Sequence, residues 1–229
     1  MPYHPPMCGR YSLTTPAGEL ADGFNLPALA NLPPRYNIAP TQEAPVIRQE
    51  GGVRSISLCR WGLVPSWSDG PDSRFSMFNA RAETIAEKPA FRDAFRKRRC
   101  LVPADGFYEW TGAGGAKQPY RITLEGGGPF AFAGLWEAWK GKDGTKTESF
   151  TIIVTEAAPG IRHIHDRMPV IIQPMNYPAW FDMSRPMNRL DLLRPYQGEL
   201  AAYPVSKHVN NARNDDAGCI APISVQESL

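Results

Sequence analysis

Cys8, in Met7-Cys8-Gly9-Arg10-Tyr11, is the residue whose chemistry depends most on what precedes it. Cysteine is small enough to permit removal of an initiator methionine, and cleavage before residue 8 would make it an N-terminal residue. A free α-amine has a pKa of about 7.7 to 8.0, so on the order of a tenth of it is neutral and nucleophilic near pH 7. Amine and thiol then sit two carbons apart. The amine can condense with an aldehyde to a Schiff base, and the thiol can close a five-membered thiazolidine ring with the high effective molarity of an intramolecular step. An internal Cys8 offers only a thiol, and on composition alone a small buried hydrophobe on a first strand is the simpler account.

Two other stretches carry groups suited to proton transfer. In residues 100–110 (CLVPADGFYEW) an apolar strand reaches a turn at Ala104-Asp105-Gly106, after which Phe107, Tyr108 and Trp110 surround Glu109. A carboxylate among three aromatics can be desolvated, which raises its pKa toward the range useful for acid and base work; a strand with Glu109 on its wet face fits the spacing equally well. Residues 161–169 (IRHIHDRMP) hold two of the four histidines, His163 and His165, which on a strand would face the same way. A metal pair is disfavoured, since a site needs three or four ligands and no partner cluster accompanies them. His165 remains a proton shuttle or a hydrogen-bonded structural histidine.

Asparagines, arginines and tryptophans recur beside turns, in Arg35-Tyr36-Asn37 ahead of Pro40, in Asn79-Ala80-Arg81-Ala82-Glu83, and in WGLVPSW at 61–67. These types suit phosphate contacts and stacking on unpaired bases. Each also has a structural account: Asn capping a turn, Arg81 pairing with Glu83, Trp61 filling the core.

The elements that must position these groups read as one α+β domain. Strands are expected at 54–63, 118–124 and 149–155, rich in β-branched and aromatic residues between Gly, Asp or Pro, with shorter apolar runs at 129–136 and 168–172 joining the same sheet. A helix is expected at 88–99 (KPAFRDAFRKRR), with Phe91 and Phe95 on one face and Arg92, Arg96 and Arg99 on a solvated one; weaker helices are expected at 15–24 and 186–193. Glycine runs at 112–116 and 126–128 read as hairpin loops, since neither opens a helix with GK[ST]. The order is not an alternating βαβ series, which points to an antiparallel or barrel-like sheet.

The 229 residues suit one domain, and 42% apolar with 21% charged residues is a globular composition. A formal charge of +2 excludes a broadly basic nucleic-acid coat, so any nucleic-acid contact is focal. The four cysteines form no CxxC pair, which fits a reducing compartment; no stretch reaches the roughly 20 apolar residues of a membrane span, and MPYHPP lacks the regions of a signal peptide. The chain is read as a cytoplasmic monomer with no membrane partner, no metal and no cofactor.

Seven stretches in order closely resemble the SRAP family, the SOS-response-associated peptidase proteins: MCGRY at 7–11, RYNIAPTQ at 35–42, WGLVPSW at 61–67, NARAET at 79–84, CLVPADGFYEW at 100–110, HDRMP at 165–169 and YPVSKHVNNARND at 203–215. The resemblance implies a single domain with a barrel-like, mainly antiparallel central sheet flanked by helices. It also implies a cleft for single-stranded DNA and covalent capture of abasic sites, whose open sugar presents an aldehyde. By that likeness Cys8 supplies both nucleophiles, Asn79 holds the opened sugar, Glu109 moves protons, and His165 assists ring opening. Arg10, Asn37, Arg81 and Arg167 contact phosphates or the lesion, and Trp67 with Pro40 wedges the bases apart. Here Cys8 follows seven residues instead of one methionine, so residues 1–7 are expected to be a leader absent from or removed in the mature protein, with self-cleavage by an autopeptidase activity as the route that the family name implies, leaving 8–229 as the domain. A cysteine peptidase using the Cys8 thiolate and His165, and a non-catalytic nucleic-acid-binding barrel, are the competing readings.

Overall fold

The structure, a computed structural model, describes residues 8–27, 32–71, 77–112, 117–184 and 186–224. The expected leader at 1–7 and most of the glycine loop at 112–116 lie outside the described residues.

Five strands close a barrel: β3 (Glu43–Glu50), β4 (Val53–Trp61), β6 (Arg99–Ala104), β9 (Phe130–Lys140) and β10 (Lys146–Glu156), each paired to the next in the ring β3, β4, β10, β9, β6. The β3–β4 hairpin turns on Gly51 and Gly52 at φ 55° and 84°, two left-handed residues that match the twist of the flanking strands. On β9 the small residues Ala131, Ala133 and Gly134 alternate with Phe130, Phe132 and Leu135, all buried. A Cβ on Gly134 would lie 2.8 Å from Val102 and 2.9 Å from the Cys100 sulfur, so strand contact there requires glycine. Each of the five strands has a neighbour on both sides, with the shortest seams at β4–β10, paired at Arg60 and Trp61, and at β3–β6, paired at Ile47.

The far half of β10 is extended by β5 (Asn79–Arg81), which joins in parallel, and by β11 (Arg167–Pro169), which joins antiparallel; β12 (Ile171–Ile172) pairs with β9. A second, antiparallel sheet has the order β13 (Leu200–Pro204), β8 (Gln118–Leu124), β7 (Gly106–Thr111), β1 (Tyr11–Leu13), β2 (Arg35–Ile38). Tyr11 and Phe107 from this sheet meet Phe132 of the barrel edge to face, at centroid distances of 5.8 and 6.0 Å. Around them run three short helices, α1 (Ala17–Phe24), α2 (Arg92–Lys97) and α3 (Tyr177–Phe181). The α+β, barrel-centred expectation therefore holds.

Several local expectations change. The helix expected at 88–99 is only α2, because Phe91 is not helical and Arg99 opens β6. Arg99 is buried, not solvated: its guanidinium donates to the carbonyls of Phe95, Trp180 and Asp182 at 2.6 to 2.7 Å, tying α2 and α3 to the barrel. The helix expected at 186–193 is a 3₁₀ segment, Pro186–Leu192. Gly126, Gly127 and Gly128 do not close a hairpin. Their three positive φ angles carry the chain from β8 in one sheet to β9 in the other. All four cysteines are free and buried. Among the described residues no helix is long and apolar enough to cross a membrane.

Candidate active site

Register places Cys8 beside Glu109. β1 and β7 are antiparallel with Tyr11 opposite Phe107, and the Tyr108 N–H donates to the Arg10 carbonyl at 3.0 Å. Each step back from Tyr11 therefore meets a step forward from Phe107, and the Cys8 N–H reaches the Glu109 carboxylate at 2.9 Å. Both residues are 2% exposed. Glu109 thus sits on the buried face of β7, not the wet one.

Burial pushes Glu109 up to about 7; His165 nearby and the Cys8 hydrogen bonds pull the other way without cancelling it. Its carboxyl is then both donor and acceptor near neutrality, as acid and base catalysis requires. The same burial, with the Glu109 carboxylate alongside, pushes the Cys8 thiol well above its ordinary range. Such a thiol stays protonated, the opposite of the thiolate a cysteine peptidase needs. Cys8 also adopts φ 44°, left-handed backbone that a non-glycine residue occupies at a cost of about 1 kcal/mol or more.

His165 approaches Glu109 from the other sheet, with Nε2 4.0 Å from the carboxylate. It does not lie on a strand with His163. The 3₁₀ segment Pro159–Ile161 leads into a turn, and the Arg167 N–H donates to His165 Nδ1 at 3.0 Å. The same Nδ1 lies 3.3 Å from the Arg167 carbonyl and 3.2 Å from the Asp166 carboxylate, so the ring is held by its Nδ1 edge with Nε2 turned toward Glu109. Arg167 in turn pairs with Glu83, just past β5. Glu83 serves this ion pair and not Arg81, the partner that the sequence offers for it. The only signal for it is its place in NARAET.

Asn79 opens β5 opposite Ile152 of β10. Both atoms of its side-chain amide are buried without a hydrogen-bond partner, an arrangement that costs free energy unless a ligand supplies a donor and an acceptor. Arg81, two residues on, is exposed, and its side chain makes no hydrogen bond or ion pair to a described residue. Trp67 is 66% exposed; Pro40 stands half-buried in the turn between β2 and β3.

Arg10 and Asn37 are differently employed. Asn37 is fully buried, and its amide donates to the carbonyls of Val209, Asn211 and Asn214 at 2.8 to 3.1 Å while its oxygen accepts from Arg10 at 3.0 Å. Arg10 also donates to the carbonyls of Val209 and Asn210. The Asn37 side chain has no atom to offer a phosphate; it clamps the segment 209–214 onto β2, and Arg10 shares that task. The same segment receives the Trp110 indole N–H at Asn210, 2.8 Å. Beyond it His208, Asp216 and Cys219 gather their ligand-capable atoms within 4.8 Å, among the described residues the one such group. Internal bonds account for it: His208 lies 2.9 Å from Asp216 and 3.0 Å from the Asn214 amide, and Cys219 donates to the Asn214 carbonyl.

Residues 7–212 match the family described as SOS response associated peptidase (SRAP). The chain is 39% identical over 218 residues to a Bacillus subtilis protein named abasic site processing protein YoaM, covering 92% of this chain and 96% of that one. It is 33% identical over 226 residues to the Gallus gallus protein named abasic site processing protein HMCES, covering 84% of this chain and 67% of the relative. A crystal structure of a Bacteroides thetaiotaomicron protein superposes with a TM-score of 0.84 at 26% identity, over 95% of this chain and all of the other.

Proposed function

Since the chain belongs to the SOS response associated peptidase family, we propose that it processes abasic sites in single-stranded DNA, capturing the sugar aldehyde with the amine and thiol of Cys8. The observation that carries this reading is the buried 2.9 Å contact between the Cys8 nitrogen and a carboxyl group whose pKa stands near 7.

The chemistry requires the bond before Cys8 to be hydrolysed, which frees the amine in the position the peptide N–H now occupies. The amine adds to the aldehyde carbon, Glu109 takes its proton, and the carbinolamine loses water as the carboxylic acid returns that proton to the departing hydroxyl. The thiol then adds to the imine carbon while its proton passes to the nitrogen, closing the ring. His165, with its Nε2 turned to Glu109, assists the opening of the closed sugar. Asn79 supplies the unpartnered donor and acceptor that a sugar hydroxyl would satisfy. Arg81 and Arg167 face the strand, the latter by exchanging Glu83 for a phosphate. Trp67 with Pro40 separates bases. The raised thiol pKa favours this reading over a thiolate peptidase.

Incubation with abasic single-stranded DNA should give a heat-stable adduct carrying the mass of the chain from residue 8 onward. Cys8→Ala should abolish it, and Glu109→Gln should slow its formation by about 10² to 10⁴, the usual worth of a general acid-base group. Undiminished adduct from Cys8→Ala would sink the mechanism.

A further inference from the structure

The exposed Trp67 rides on a turn that the barrel holds at both ends. At its start the Val64 N–H donates to the buried Ser149 hydroxyl on β10 at 2.9 Å, and the Leu63 N–H donates to the Met77 carbonyl at 3.0 Å. Across the turn, the backbone N–H and hydroxyl of Ser68 both donate to the Pro65 carbonyl, at 3.0 and 2.8 Å. Immediately after Trp67, the Ser68 carbonyl accepts the indole N–H of Trp139 on β9 at 2.8 Å. Gly70 then lies against the same indole at φ 130°, where a Cβ would come within 3.2 Å of the ring. From its own hairpin Gly141 presses on the ring too, and a Cβ there would stand 2.8 Å from it. Two glycine backbones thus confine Trp139, and its one polar atom is spent on the turn.

An indole 66% exposed at the tip of a turn fixed in this way has already given up the freedom that a flexible loop would lose on binding. We propose that Trp139 is a positioning residue: it preorganises Trp67 for stacking on an unpaired base without itself touching DNA. This rests on the reading above, in which Trp67 faces the strand. Trp139 was not singled out from the sequence, because a lone aromatic at the end of a long strand carries no sign of what its N–H will meet.

The test is equilibrium binding of a labelled single-stranded oligonucleotide carrying a tetrahydrofuran abasic analogue, which has no aldehyde and so reports binding alone. The full chain is compared with Trp67→Ala, Trp139→Phe, Gly70→Ala and the double variant Trp67→Ala with Trp139→Phe. Stacking of one base predicts about a tenfold loss for Trp67→Ala. Trp139→Phe keeps most of the ring and loses the N–H; with Gly70→Ala, which crowds the ring from the loop side, it should weaken binding about three- to fivefold. In the Trp67→Ala background Trp139→Phe should change nothing further, and the slope of affinity against salt should stay constant throughout, since no phosphate contact is lost. A loss of equal size in both backgrounds would overturn the positioning role, as would no loss from Trp139→Phe and Gly70→Ala while Trp67→Ala weakens binding. Unchanged binding by Trp67→Ala would overturn the premise and the proposal together.

Discussion

Glu109 keeps its proton to about pH 7 because it is buried, and the same fact makes it a liability to the fold. Between its ordinary value of 4.5 and about 7 the native state holds a proton that the unfolded chain has released. Stability from this group is therefore full below that window and falls as pH rises through it. Glu109→Gln removes the titration. Urea unfolding at pH 5 and pH 8 should show the wild type losing on the order of 2 to 3 kcal/mol relative to the variant, while the adduct-forming activity of the variant collapses. Equal pH responses of the two proteins would mean that Glu109 titrates normally. Little of this was legible beforehand. Three aromatics around a carboxylate fit a wet and a dry face equally, and only the pairing of β1 with β7 decides which way the side chain points. Asn37 is the opposite case: an Asn beside a turn looks available for a ligand, and nothing local reveals three carbonyls arriving from more than 170 residues away.

Asp105 stands where the chain leaves barrel strand β6 and enters β7, and it joins the two sheets. Burial pushes its pKa up, but hydrogen bonds from Ser12 and Thr14 and the Arg121 guanidinium at 3.0 Å outweigh that and hold it below the ordinary range. The Thr15 N–H adds a further bond at 2.9 Å. Asp105→Asn keeps the shape and removes the charge, leaving Arg121 buried without its counterion. We expect a loss of about 3 to 5 kcal/mol in chemical unfolding. A loss under about 1 kcal/mol would show that the hydroxyls and the Tyr203 oxygen, 2.8 Å from Arg121, suffice. Strands were the most legible elements: the expected 118–124 coincides with β8, and 149–155 falls inside β10. They were readable because β-branched and aromatic runs between turn residues are a local signal. The helix at 88–99 was overdrawn because Arg99 continues the basic helical pattern while its side chain is claimed by α3, an element 80 residues away.

At the scale of the molecule, a formal charge of +2 leaves little long-range attraction for a polyanion, so affinity must come from a few placed guanidinium groups and from stacking. For single strands each phosphate contact contributes about −0.7 to the slope of log affinity against log salt. Two or three contacts predict a slope between about −1.4 and −2.1, measurable by titrating the abasic analogue across salt. A slope steeper than about −4 would indicate a broad basic track instead. That the chain forms one barrel-centred domain could be read from the order of its segments, but ring closure could not, since it depends on β10 lying parallel to β4. The clamp of Arg10 and Asn37 on residues 209–214 carries a consequence for biogenesis. At roughly 5 to 20 residues per second the ribosome takes on the order of ten seconds or more to deliver that segment after Cys8 emerges. Throughout that interval Arg10 and Asn37 lack the carbonyls that they hold in the folded chain, so the join between the first strands and the last segment closes only when synthesis is nearly complete.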